Sequence, residues 1–189
     1  MTLTQTHRDC PAQERHAALI RQNIKWIRQA IILLNVLDDT AYSCSAPGVT
    51  PHRAGAHLRH VIEFYDCFLD GLYSLHIDYD ARRRDESIVR SCEVAIAKLE
   101  SICERLETTP ALQCDSLVWV RVEDADALGL QDPYVTSSVG RELLTLSSHT
   151  IHHFALIAVT LGAMGIDVPA DFGVAPATMR HQRKLRGAA

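Results

Sequence analysis

The sequence lacks any surplus of positive charge. Its 189 residues carry 19 Lys and Arg against 23 Asp and Glu, a net charge of -4 with histidine neutral. That balance gives no electrostatic case for nucleic acid or an anionic membrane surface as a partner. The one basic stretch, Arg180 to Arg186, reads as a solvated tail. No apolar run is long enough to span a bilayer, and a short one such as Ala30 to Leu34 belongs to an amphipathic helix. The opening residues have no apolar core of the kind a secretory signal requires. Six cysteines are present (Cys10, Cys44, Cys67, Cys92, Cys103 and Cys114), but none forms a CxxC pair or a zinc-ribbon spacing. Cys67, Cys92 and Cys103 fall on apolar helix faces, so the expectation is reduced core thiols in a cytoplasmic protein. Several reaction signatures are missing as well. No GxSxG elbow, phosphate loop or dinucleotide fingerprint occurs. The segment 149–153, HTIHH, lacks the glutamate of the HExxH zinc protease motif. There are no Glu-x-x-His pairs of the di-iron bundles.

What remains is a chain with 47% hydrophobic residues, long enough for one well-cored domain over residues 1–189. Four long amphipathic patterns dominate it. The first predicted helix runs from Gln13 to Asp38, with Ile20, Ile24, Ile27, Ile31 and Leu34 at three- and four-residue steps. The second runs from Pro51 to Leu75, with Thr50 as N-cap and Pro51 at the first helical position. The third spans Asp85 to Glu107 and ends ahead of Pro110. The fourth begins within Thr136 to Ser138 and ends near Met164, with Gly165 as terminator. Residues 39–50 read as a loop. Leu117 to Val122 reads as an extended segment with no evident second strand. The predicted architecture is therefore all-α: a four-helix bundle with core 13–166, an irregular segment between the third and fourth helices, and a tail, 167–189, packed across one end.

The chemistry-bearing feature is a histidine constellation. His149 and His153 are four residues apart, which stacks their imidazoles on one face of the fourth helix. His57 and His60 both face the core of the second helix. One of them, added to His149 and His153, completes a three-nitrogen site for a divalent metal with coordination positions left open. His152 points about a hundred degrees away from His153. His7, His16, His52, His76 and His181 read as ordinary surface or core groups. Glu142 lies two turns before His149 on the same face, where it would orient a ligand, act as a base or support the helix start.

The stretches Gly55-Ala56-His57-Leu58-Arg59-His60 and Ser148-His149-Thr150-Ile151-His152-His153 resemble the DinB/YfiT-like metalloenzyme family of helical bundles. Asp78-Tyr79-Asp80 followed by Arg82 and Arg84, and Phe172-Gly173-Val174-Ala175-Pro176, resemble a subgroup of it. The resemblance spans most of the chain. It implies a four-helix bundle and a three-histidine metal site, carried here onto His57, His149 and His153, with His60 as the alternate on the second helix. It also implies homodimers, and for several relatives a transferase or isomerase reaction dependent on a low-molecular-weight thiol such as bacillithiol or mycothiol.

Such a site suits zinc, nickel or iron and a small-molecule substrate. It would bind a thiol as thiolate or lower the pKa of a water. Three readings follow: a thiol-dependent enzyme, a hydrolase with Glu142 as base, and a non-catalytic metal-binding dimer. Arg59, Arg82, Arg84 and Arg141 are candidates for holding carboxylates of a thiol cofactor or substrate. Asp78, Tyr79 and Asp80 are expected to pair with those arginines. On this assignment, loss of His57 costs more metal than loss of His60.

Overall fold

In a computed structural model the chain forms an all-α bundle with small accessory sheets. The structure describes residues 12–46, 48, 50–109 and 113–187. His7 and Cys10 lie outside them. Four long helices make the bundle: α1 (Ala12–Leu34), α3 (Ala54–Gly71), α5 (Cys92–Thr108) and α6 (Val139–Ala163). Two one-turn helices, α2 (Asp39–Ser43) and α4 (Glu86–Arg90), sit in the connections, and α7 (Pro176–Gly187) follows the bundle. Among the long helices, α6 packs on α3 and α1, and α5 packs on the same two. The helices α1 and α3 are therefore diagonal although consecutive in the chain, and α3 and α6 are neighbours. No described helix is long and apolar enough to cross a membrane.

The core is built from the apolar stripes, including Ile27, Leu58, Ile62, Phe68, Leu99, Leu143 and Phe154. One polar network runs through it. The Tyr65 hydroxyl on α3 donates to Asn23 Oδ1 on α1 at 2.7 Å and accepts from Thr150 Oγ1 on α6 at 3.3 Å. Asn23 Nδ2 donates to the carbonyls of Leu19 and Leu143. Trp26 Nε1 donates to Ser147 Oγ at 2.9 Å. A buried polar group without a partner costs free energy, so these bonds favour one helix arrangement over its slipped alternatives.

The structure departs from the sequence expectation at several element ends. The residues Thr50–Arg53 form strand β2, paired antiparallel with β1 (Ser45–Ala46), and α3 begins only at Ala54. Thr50 is therefore not its cap. The residue before a proline favours extended backbone, which suits a strand better than a helix start. The third predicted helix is broken at Ser91, whose backbone is extended and whose hydroxyl caps α5 at Val94 N. Asp39 draws the Cys92 N–H out of the preceding helix, at 2.7 Å. The extended segment exists as β4 (Leu117–Arg121), and it has the partners the sequence did not reveal. Antiparallel β5 (Tyr134–Ser138) pairs on one side and parallel β3 (His76–Ile77) on the other. The sequence pattern hid β5 because it runs directly into α6, whose N-cap is Ser138.

The tail packs as expected up to a point. Phe172 is buried and stacks on Phe154, ring centroids 4.6 Å apart. The basic stretch beyond it is helical, within α7, rather than frayed. Gly173 lets the chain turn at this contact. Its φ is +69°, and a Cβ there would lie 2.5 Å from Ala155 N on α6. Gly173→Ala is accordingly expected to destabilise the protein by about 2 kcal/mol or more, read as a lower urea midpoint with an unchanged slope.

Candidate metal centre

The polar seam between α3 and α6 continues past Tyr65 into the histidines. The two helices run antiparallel, for rising residue numbers on α3 meet falling ones on α6. Phe64 stacks on His149 at 4.3 Å, His60 lies 4.8 Å from His149 and 4.6 Å from His153, and His57 lies 5.3 Å from His153, all between ring centroids. His149 and His153 are themselves 4.4 Å apart. His60, His149 and His153 each offer one ring nitrogen, and the three nitrogens lie within 4.8 Å of one another. No other such group of histidine, cysteine or carboxylate side chains occurs among the described residues.

The helix-α3 member of the group is thus His60, the alternate, rather than His57. The reason is register. His60 sits level with the gap between His149 and His153, while His57 is one turn further out, beside His153. His57 Nδ1 is 3.1 Å from His153 Nδ1, a hydrogen bond in which one ring donates and the other accepts. That contact fixes the ring of His153 from outside the three-nitrogen group. His152 is exposed, as its angle on the helix predicts.

Burial and mutual repulsion keep the three imidazoles neutral. Desolvation first, then neighbouring rings and Arg82, push His60 and His149 down to about 4. Desolvation, then His149, His60 and His57, push His153 to about 3. His57 is lowered too, by burial and then His52. Each ring therefore keeps a nitrogen lone pair at neutral pH, the form that binds metal.

The remaining candidates are placed as follows. Arg59 is ion-paired with Glu86. Arg141 is exposed and lines an open cleft of about 680 Å³ with Phe64, Tyr79, Val120 and Glu142. Glu142 is buried in the first turn of α6, and both its oxygens are taken. Oε2 accepts from the Tyr79 hydroxyl at 2.8 Å and Oε1 from Ser137 Oγ at 2.6 Å. Phe64 stands between it and the histidines, stacked on Tyr79 at 4.9 Å and on His149. Arg82 donates through Nε to the Tyr79 carbonyl at 3.0 Å and through Nη1 to His60 Nδ1. Of the expected pairings with Arg59, Arg82, Arg84 and Arg141, only the Tyr79 carbonyl with Arg82 occurs, and Asp78 and Asp80 instead face Arg121 at 3.8 and 3.9 Å. Phe64 was legible only as a core residue, because nothing in an apolar stripe marks which member will floor a site. Burial pushes the Cys67 and Cys103 thiols up to about 11 and Cys92 to about 12, so these are inert protonated thiols. His16 Nδ1 lies 3.1 Å from Cys114 Sγ.

With that geometry in hand, known proteins offer a comparison. The fold is DinB-like. It superposes on a DinB-like protein, YjoA, from Bacillus subtilis with a TM-score of 0.59, covering 84% of this chain and 99% of that one at 16% identity. A curated relative, FK506-binding protein 5 of Rhizopus delemar, is 32% identical over 108 residues, or 57% of this chain. The chain spans only 28% of that protein's length. No protein-family model matches the sequence.

A pH prediction follows from the neutral rings. Their folded-state values lie below the ordinary 6.5. The stability they contribute is therefore complete above pH 6.5 and is lost as pH falls from there through 4 towards 3, where protons bind the unfolded chain first. Urea midpoints of chelator-treated protein are expected to fall across this window. The fall is expected to be shallower in a His149→Gln, His153→Gln double variant, and an equal slope in the two proteins would count against the neutral cluster.

Proposed function

We propose that this chain is a divalent-metal protein whose ligands are His60, His149 and His153, and that it acts on a small thiol. The observation that carries the metal reading is the convergence of three neutral imidazole nitrogens within 4.8 Å, with no carboxylate among them. This donor set fits zinc, nickel or iron. When bound there, such an ion supplies Lewis acidity, holding a thiol as thiolate at neutral pH.

The protein's own residues do the rest. His57 orients His153 through the ring-to-ring hydrogen bond. Phe64 closes one side of the site with its ring face and keeps water from approaching His149 there. Tyr79, held by Glu142, backs Phe64. The open cleft with Arg141 at its edge lies on the far side of Phe64, so that ring stands between it and the histidines.

Hydrolysis with Glu142 as base is the less favoured reading. Both carboxylate oxygens accept hydrogen bonds from neighbours, and Phe64 separates them from the imidazoles. Thiol chemistry asks for no such base at the site.

Metal content tests the ligand set. Tag-free protein is expected to hold about one equivalent by plasma mass spectrometry, and His60→Ala, His149→Ala and His153→Ala each to lose it. His57→Ala is expected to weaken binding about 10- to 100-fold without abolishing it, and His152→Ala to leave it intact. Retention of metal in His60→Ala with loss in His57→Ala would move the ligand one turn along α3. For the reaction class, cobalt-substituted protein is titrated with 2-mercaptoethanol. A thiolate-to-cobalt charge-transfer band is the expected result, and an unchanged spectrum would sink the thiol reading while leaving the metal site standing.

A further inference from the structure

Arg82 stands out among the half-buried arginines. Arg59, Arg105 and Arg121 all have carboxylate partners. Arg82 is half-buried, yet among the described residues no carboxylate comes within ion-pairing distance of it. Its contacts are the Tyr79 carbonyl, the face of Phe64, 5.2 Å from the ring centroid, and His60 Nδ1. A partly desolvated guanidinium without an anion is an electrostatic deficit.

The contact with His60 carries a second consequence. A guanidinium only donates, so His60 Nδ1 accepts with its lone pair and the ring's single proton sits on Nε2. His60 cannot hold that bond and serve a metal at once. If Nδ1 binds the metal, its lone pair is used and Arg82 is displaced. If Nε2 binds, the proton moves to Nδ1, and two N–H groups confront each other. Either way the guanidinium is released when the site is loaded. Its Nε anchor on Tyr79 and its stacking on Phe64 are untouched by that change, so it stays beside the three histidines.

We infer that Arg82 is the anion-binding residue of this site and that its availability depends on metal: it is held by His60 in the metal-free protein and released to a carboxylate-bearing ligand in the loaded one. The inference rests on the metal reading above and names the ligand's second group, a carboxylate carried next to the metal-bound atom. An alternative destination exists inside the protein. Glu63 is buried, with Oε2 unpartnered, and lines a small cavity that Arg82 also borders. Its other oxygen is held by Asp85 N at 2.8 Å. Reaching it would take Arg82 off the face of Phe64, so the exogenous carboxylate is favoured.

Two sites linked in this way tighten each other by the same factor. The test is calorimetric titration of zinc into chelator-stripped full-length protein, with and without acetate, for wild type, Arg82→Gln and Arg82→Lys. Acetate is expected to tighten zinc binding about tenfold in wild type, within the usual range of coupled sites. Arg82→Gln is expected to bind zinc at least as tightly as wild type without acetate, since nothing competes for His60, and to lose the acetate response. Arg82→Lys is expected to keep part of that response through its charge. An acetate effect equal in Arg82→Gln and wild type would overturn the inference, because it would come from direct coordination to zinc. Tighter zinc in Arg82→Gln with no acetate effect in wild type would overturn it too, assigning the freed guanidinium to Glu63. Zinc binding to none of the three proteins would instead bring down the metal reading itself, and the inference with it.

Discussion

The register of α3 against α6 is the constraint on which the candidate site depends. Tyr65, Thr150 and Asn23 lock it from inside the bundle, since a slip of either helix would leave buried hydroxyl and amide groups without partners. Successive turns of the same seam then carry Phe64 against His149, His60 between His149 and His153, and His57 against His153. The histidines are thus positioned by a hydrogen-bonded core one turn away. No loop has to be ordered to assemble them, which suits a site that needs its donors within a few tenths of an ångström of productive geometry.

Four imidazoles packed along one helix seam are tolerable only as neutral rings. Charged, they would repel one another in a partly dry environment, and the cost shows in how far burial and neighbours depress their proton affinity. Neutral rings still need partners. His57 and His153 satisfy each other, and Arg82 satisfies one nitrogen of His60. The network is therefore complete enough to fold and open enough to accept a cation. A hydrophobic seam would fold too, but it would carry no lone pairs.

Much of this was legible from residue spacing. The HxxxH pair of α6 and the two inward histidines of α3 follow from helical periodicity alone, as do the four long helices and the extended segment at Leu117 to Arg121. The choice between His57 and His60 was not legible, because spacing within one helix says nothing about the axial offset of its neighbour. That offset is set by Tyr65 and Asn23, whose contacts join residues far apart in sequence. The element ends failed for a related reason. Ser91 breaks a continuous helical pattern because Asp39, more than fifty positions earlier, takes the Cys92 amide. The segment Thr50–Arg53 becomes a strand because Ser45 and Ala46 are there to pair with it. Local propensity was close to balanced at both places, and a tertiary partner decided the outcome.

Glu142 shows why proximity along a helix face is a weak guide to role. It lies on the face that carries His149, and its position in the first turn of α6 favours a carboxylate through the helix dipole. Yet it is two turns from His149, and an aromatic pair, Phe64 and Tyr79, fills the interval. Its two hydrogen bonds tie β5, through Ser137, and the segment after β3, through Tyr79, to the start of α6. Replacing it would first loosen Tyr79, then Phe64, and only through Phe64 the ring of His149. Glu142 is therefore a support for the aromatic wall between cleft and histidines. Among the described arginines, Arg82 is the one that touches one of the three converging rings, through His60 Nδ1, whereas Glu142 reaches them only through Phe64.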